Sequence, residues 1–417
     1  MNTRIIRASA LAGVAALVLS GCAASGSSDS SALTFSVYMT ADSAERTVLQ
    51  ELITAFTDKT GIDVELSYDT DNYESNLKVQ MASNNLPDVF ATHGWSVLRY
   101  SSFLEPLNDQ PWAKNVNPAL DASMRDDKGN IYALPLEYTV AGIDVNLDVL
   151  KKAGVDPDNL KTWDDFDAAL AKVAASGVSP LTASGKSSSA GNIADYISSN
   201  AFTDAQLTSF SKGTFDTSAW AQNVLSHVKT WVDKGYFNPD YSSASLDDMA
   251  SQLAQGQAGF ALVPASSILA TAMKLNPEAN IGFIPIPNAQ GEQYFVGGEG
   301  VSSFGVSKSS AHKDDALKFV DFLAEPENAA KVAASVGSYS GLTGVEVDLG
   351  VLQSSYDTWV ASGDLPTKPF FDRVYLPNGI WDTMIATTDS VITGQSSPTD
   401  AAKQMKLQFD TLYGQAG

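Results

Sequence analysis

The chain has 417 residues, with 26 basic against 48 acidic side chains, a net charge of −22 and a single cysteine. That balance repels phosphate polyanions, which argues against a nucleic-acid partner and against attachment to anionic lipid by charge alone. With 44% hydrophobic residues the chain can bury a large core, and chains beyond about 250–300 residues usually divide, so two lobes are expected.

Arg4 and Arg7 precede an apolar run over residues 8–19, and the small pair Ser20 and Gly21 leads to Cys22. About a dozen apolar residues are too few to cross a hydrocarbon core of roughly 30 Å. Residues 1–21 therefore read as a signal peptide that is removed. Leu19, Ser20, Gly21 and Cys22 match the lipobox of bacterial lipoproteins; an ordinary secretory signal followed by an incidental cysteine is the alternative. The resemblance implies lipidation of the Cys22 thiol and tethering at the outer face of the cytoplasmic membrane, extracellular or periplasmic. Two or three acyl chains would supply the double signal that stable anchoring needs. With Cys22 used in this way no thiol remains for a disulfide or for thiolate chemistry.

Residues 23–31 (AASGSSDSS) are small and polar, and residues 22–32 are expected to act as a flexible leash. Leu33, Phe35, Val37 and Met39 alternate with polar residues and predict a strand. Residues 45–59 change to helical spacing through Val48, Leu49, Leu52, Ile53 and Phe56, with Asp42 and Glu45 at capping-box distance and Gly61 as the stop. Residues 64–68 alternate again, 73–83 predict a helix and 88–92 a short buried strand. This order predicts an α/β lobe with a largely parallel sheet. After the Gly129–Asn130 turn, residues 131–145 are strand-rich, and Thr162 with Asp165 caps a helix carrying Phe166, Leu170 and Val173. Residues 184–191 (SGKSSSAG) read as a low-complexity loop, and helices are expected over 220–234, 246–255 and 311–324. No fixed-period repeat is present, which removes solenoids and propellers.

The reactive motifs fail one by one. His93, His227 and His312 are scattered with no metal-ligand spacing. Residues 337–341 (GSYSG) frame a nucleophile elbow but carry Tyr339 where the nucleophile belongs. Residues 298–303 (GEGVSS) lack the third glycine of a dinucleotide fingerprint, and Asp69, Asp71 and Tyr73 start a calcium loop that Glu74 does not continue. No enzyme activity, metal or cofactor is expected. Paired carboxylates of a glycoside hydrolase stay open as an alternative, because their separation in space is not readable from sequence.

Several blocks in order resemble the extracellular solute-binding proteins of ATP-driven importers, family 1, the group that includes maltose-binding protein. They are residues 55–64 (AFTDKTGIDV), 86–92 (LPDVFAT), 129–135 (GNIYALP), 145–154 (VNLDVLKKAG), 162–166 (TWDDF), 255–260 (QGQAGF), 296–308 (VGGEGVSSFGVSK) and 316–325 (ALKFVDFLAE). Each block is weak alone; together they cover most of the chain from Leu33 onward. The resemblance implies a two-lobe, type II periplasmic-binding-protein-like α/β fold with a ligand cleft between lobes. One lobe would hold 33–135 plus 296–339 and the other 140–287 plus 343–417, with hinges at 136–139, 288–295 and 340–342. It implies ligand residues at Tyr38, Asp42, Asp71, Asn72, His93, Trp95, Glu137, Tyr138, Trp220, Ser266, Gly298, Glu299, Tyr339 and Trp381. At 264–266 the chain has PAS where many relatives have Gly-x-Trp, which puts Ser266 in doubt.

A sugar presents apolar C–H faces and a rim of hydroxyls, so its receptor needs flat aromatic surfaces and in-plane acceptors. Seven Trp, 14 Tyr and 18 Phe provide enough platforms; Trp163 in its capping motif and Trp231 on an amphipathic face read as packing. The function implied is a lipid-anchored, monomeric receptor that captures a carbohydrate, an oligosaccharide by preference, and delivers it to the permease of an ABC importer. A receptor for a peptide, polyamine or other small solute is the alternative on the same fold.

Overall fold

The computed structural model describes residues 32–41, 43–69 and 72–415, with the side chains of 265–267 and 415 left aside. The segments expected as signal peptide and leash up to residue 31, with Cys22, and also Asp42, Asp71 and the side chain of Ser266, lie outside the described residues. Among those described, no helix is long and apolar enough to cross a membrane.

Alternation at the start of the chain produces β1 (Leu33–Tyr38), which buries Leu33, Phe35 and Val37 and leaves the residues between them half-buried. The helix Ala44–Thr60 then carries the chain to β2 (Val64–Asp69), which pairs in parallel with β1. Leu49, Leu52 and Phe56 face inward, and the Phe56 ring meets Phe319, which also touches Phe35. Gly61 ends the helix at φ +75°, a conformation that a side chain would oppose. The N-cap is Ser43, whose hydroxyl accepts from the Arg46 N–H. The Asp42–Glu45 capping box expected from spacing is therefore replaced, and Glu45 turns inward instead. The helix Tyr73–Ser83 leads to β3 (Val89–Ala91), also parallel to β1.

The remaining strands of this first sheet arrive from far along the chain. β4 (Leu134–Pro135) and β11 (Ser303–Val306) complete the order β2-β1-β3-β11-β4, with β11 antiparallel to both of its neighbours. The sheet is thus mixed, not largely parallel. β11 enters from the crossing strands rather than through a helical crossover, and only crossovers impose parallel pairing.

A second sheet, β7-β8-β6-β9, is formed by β6 (Ile143–Asn146), β7 (Ser179–Leu181), β8 (Ala258–Ala261) and β9 (Ile281–Ile284). Between the two lies a three-stranded sheet: β5 (Tyr138–Ala141), β10 (Phe295–Glu299) and β12 (Thr367–Pro369). β5 follows β4 and runs into β6, and β10 runs into β11, so this small sheet carries the chain between the larger two. A third segment passes beside them, with Tyr339 bridged to Tyr138 and Leu342 to Val116. Of residues 288–295, expected as a hinge, 288–294 form a hairpin closed by the Ile286–Tyr294 bridge and Phe295 opens β10.

Two apolar cores follow from these layers. One fills the first sheet and continues through Val140 and Phe295 to the helices Leu246–Ala254 and Ala265–Leu275. The other lies on the opposite face of the second sheet, around Phe166, Trp220, Trp231, Phe260 and Phe371. The stretch 184–191 is not a free loop. Ser189 Oγ accepts from the Ser184 N–H and donates to its carbonyl, both at 2.8 Å, and residue 189 already opens the helix Ser189–Ser198. Composition alone misses such buried serine bonding.

Candidate functional site: the cleft between the sheets

The segments that follow the carboxyl ends of β1, β3 and β8 line a cleft of about 600 Å³. In open α/β sheets this is where ligands sit. Thr40 and Ser43 reach it after β1, Trp95 after β3, and Glu137 and Thr139 from the crossing strand; Phe370, Asp372, Arg373 and Trp381 face them from the second core.

Trp95 is held by its neighbours. His93 meets its ring edge-on at 4.9 Å and is itself stacked on Tyr38 at 4.8 Å. The guanidinium of Arg99 lies 4.4 Å from the Trp95 ring centre. Glu74 organises both supports, hydrogen-bonding to His93 and ion-pairing with Arg99 at 2.6 Å. Burial opposes ionisation of Glu74, yet the bond from His93 and the charges of His93 and Arg99 outweigh it and hold its carboxyl at about 2. Burial drives the His93 imidazole the other way, below its usual range. His93 also carries a positive φ of +32°, uncommon outside glycine.

The floor of the cleft is acidic and crowded. Glu45 is 3% exposed and accepts from Ser302 Oγ at 2.7 Å. Burial lifts its carboxyl to about 7; the Ser302 bond counters this and the Glu137 charge adds to it. Glu137, raised by burial, receives the Ser302 N–H at 3.2 Å. Behind it, Glu299 accepts from the Ser96 N–H and hydroxyl, each at 2.9 Å, and burial lifts it to about 7 as well. Asp372 stands at about 6, raised by burial and lowered by Arg373. Its N–H donates to Asp195 Oδ1 at 3.0 Å, and burial together with the Asp372 charge keeps Asp195 well above the usual carboxylate range.

Trp381 opens the helix Trp381–Ile392 at the opposite wall. A Cβ on Gly191 would lie 2.7 Å from Ile385 Cγ1 and 3.1 Å from the Trp381 ring, so the glycine lets this helix pack closely there. Arg373 Nη1 donates to the Glu299 carbonyl at 2.5 Å, and its guanidinium lies 4.3 Å from the Phe370 ring centre. Among the described residues, no group of three or more His, Cys, Asp or Glu is placed to hold a metal.

Of the residues expected at the ligand, the structure brings Trp95, Glu137 and Trp381 together on the cleft. Tyr38, His93 and Glu299 pack behind Trp95 and Ser96, and Gly298 lies against Phe370 and Arg373. Tyr138 and Tyr339 line a separate cavity of about 650 Å³ with Tyr356. Trp220 is fully buried, in contact with Phe202, Phe215 and Phe371, because its helix turns that face into the second core. Asn72 sits exposed at the N-cap of the helix Tyr73–Ser83. Sequence reasoning missed Arg373, Asp372, Phe370 and Asn192; the only signal for the first three was a charged pair set directly after two phenylalanines.

The family model for bacterial extracellular solute-binding proteins matches residues 40–330. The melibiose/raffinose/stachyose-binding protein MelE of Bacillus subtilis strain 168 is 29% identical over 414 residues, covering 96% of this chain and 95% of the relative. The crystal structure of a putative binding protein from B. subtilis in an open conformation superposes with a TM-score of 0.83 at 27% identity, over 93% of this chain and 99% of that one. A sugar transporter from Bacillus licheniformis, crystallised in complex with stachyose, gives a TM-score of 0.79 at 29% identity, over 91% and 100%.

Proposed function

The chain belongs to the bacterial extracellular solute-binding proteins, and from that premise we propose that it is the lipid-anchored receptor of an ABC importer for galactose-bearing oligosaccharides of the melibiose, raffinose and stachyose type. The observation that carries the reading is the pairing of two indoles, Trp95 and Trp381, on opposite walls of a cleft floored by carboxyl groups. The indoles offer flat surfaces to sugar C–H faces, and Glu45, Glu137 and Asp372 offer acceptors to hydroxyls. The likeness to MelE and to the stachyose complex supports the ligand class.

In this reading the lobes are 33–135 with 296–339 and 140–287 with 343–417, and the links between them at 136–139, at Phe295 and at 340–342 bend as the hinge. The ligand selects the shut arrangement, which the permease then recognises across both lobes, so uptake follows occupancy. The receptor carries out no chemistry on its cargo and works as a monomer. Cys22 supplies the anchor, and Cys22→Ala should release the protein from the membrane fraction; retention there would remove the anchor from the reading.

The test of ligand class is a thermal-shift and calorimetry panel of melibiose, raffinose and stachyose against maltose-series glucans, peptides and polyamines. Ligand at about 100 times its dissociation constant adds roughly 2.7 kcal/mol of apparent stability. A shift confined to the galactosides is expected. Trp95→Ala and Trp381→Ala should each weaken binding by about 1–3 kcal/mol, as for a buried aromatic contact. A shift only with polyamines or peptides would overturn the sugar assignment.

A further inference from the structure

Two guanidinium groups cross the cleft in opposite directions. Arg99, in the helical segment Ser96–Tyr100 that follows β3, lies 4.4 Å from the Trp95 ring centre and 5.8 Å from that of Tyr100, and its Nε donates to Asn378 Oδ1 at 3.0 Å. Asn378 stands in the loop between Leu376 and Ile380, both buried in the second core. Arg373 comes from that second core and reaches back: its guanidinium is 5.5 Å from the Trp95 ring centre and rests on Gly94. A Cβ at residue 94 would lie 2.6 Å from Arg373 Cζ, and Gly94 holds φ at +103°, so the backbone there is shaped to admit the group. Trp95 thus carries one arginine from its own side and one from across the cleft.

We propose that Arg99 and Arg373 form a clasp that holds the two sides of the cleft together before any ligand enters, and so determines how readily a ligand gains access to Trp95. Arg99 is fixed on its own side by its ion pair with Glu74, and Arg373 makes a second contact across the cleft, to the Glu299 carbonyl at the end of β10. A guanidinium is planar and weakly hydrated, which suits it to stack on an indole and to leave it again. If Trp95 is the sugar platform, as the proposed function has it, a ligand must displace Arg373 to stack there, and the clasp opposes binding. The clasp itself does not rest on that reading, because its contacts exist without ligand.

The test is a distance measurement on the full chain without sugar. Spin labels at Val79→Cys and Leu407→Cys, two exposed positions on helices of opposite sides, are introduced in a Cys22→Ser background and read by pulsed electron resonance. Arg373→Ala and Asn378→Ala should each shift the distance distribution to longer values, and the pair further still. Asn378 is exposed and outside the core, so its variant folds even where loss of Arg373 does harm. Distributions for both variants that superpose on the parent would overturn the clasp. If they shift while no galactoside binds the parent, the clasp stands and the sugar reading falls.

Discussion

Glu137 has its place in the cleft because the residue opposite it has no side chain. A Cβ on Gly300 would lie 2.1 Å from the Glu137 carboxyl carbon, and that carboxylate is itself buried. Gly300→Ala must push the carboxyl aside within a packed interior, where overpacking costs about 1–3 kcal/mol. Urea unfolding should show that loss, together with weaker ligand binding because Glu137 leaves the floor. Glu45 and Glu299 carry a different prediction, in pH. Burial raises each to about 7 from 4.5, so the folded protein holds these protons more tightly than the unfolded chain does. Between about pH 4.5 and 7 the folded state binds more protons, and stability falls as pH rises. Glu74, held at about 2, acts with the opposite sign and matters only as pH falls below about 4.5. Unfolding free energies of the parent, of Glu45→Gln and of Glu299→Gln at pH 5 and pH 7 separate the two. Each variant should flatten the decline; an equal slope in all three would count against the buried acids.

Helices and their caps are legible wherever the determining residues are neighbours in sequence. Thr162 accepts from the Asp165 N–H at 3.1 Å and Asp165 caps it in return, giving the capping box read from their spacing at the start of the helix Trp163–Ala175. Thr162→Ala should cost about 1 kcal/mol of stability, visible as a lower denaturant midpoint with an unchanged slope. The same pattern at Asp42 and Glu45 misled, because Ser43 takes the cap and Glu45 finds Ser302, 257 positions away. Order of elements and fold class follow from periodicity and from the family blocks. The far wall does not. Arg373 and Asp372 reach the cleft only because β12 joins the edge of the crossing sheet beside β10, with Thr367 opposite Phe295. No local spacing encodes that pairing. Trp220 shows the converse: an aromatic residue in a plausible block, turned into the core by the face its helix presents.

The molecule as a whole is strongly acidic, and its cleft repeats the bias at close range. A net charge of −22 surrounds a floor on which Glu45, Glu137 and Asp372 outnumber the cations Arg373 and Lys274. An anionic solute would approach against this field and would have to settle among carboxyl groups already raised by burial. A neutral oligosaccharide does no work against the field. Its hydroxyls can donate to the ionised acids, or accept from the protonated ones. Salt separates these cases, since the Debye length falls from about 30 Å at 0.01 M to about 3 Å at 1 M ionic strength. Affinity for raffinose or stachyose, measured by calorimetry across that range, should stay within about twofold, roughly 0.4 kcal/mol. A cationic ligand would bind more weakly as salt rises, and an anionic one more tightly as repulsion is screened. A polyamine or basic peptide that binds more tightly than the sugars and loses affinity steeply with salt would therefore replace the neutral sugar as the natural cargo. A flat response with both indoles required for binding would leave stacking and hydroxyl recognition as the forces that shut the cleft.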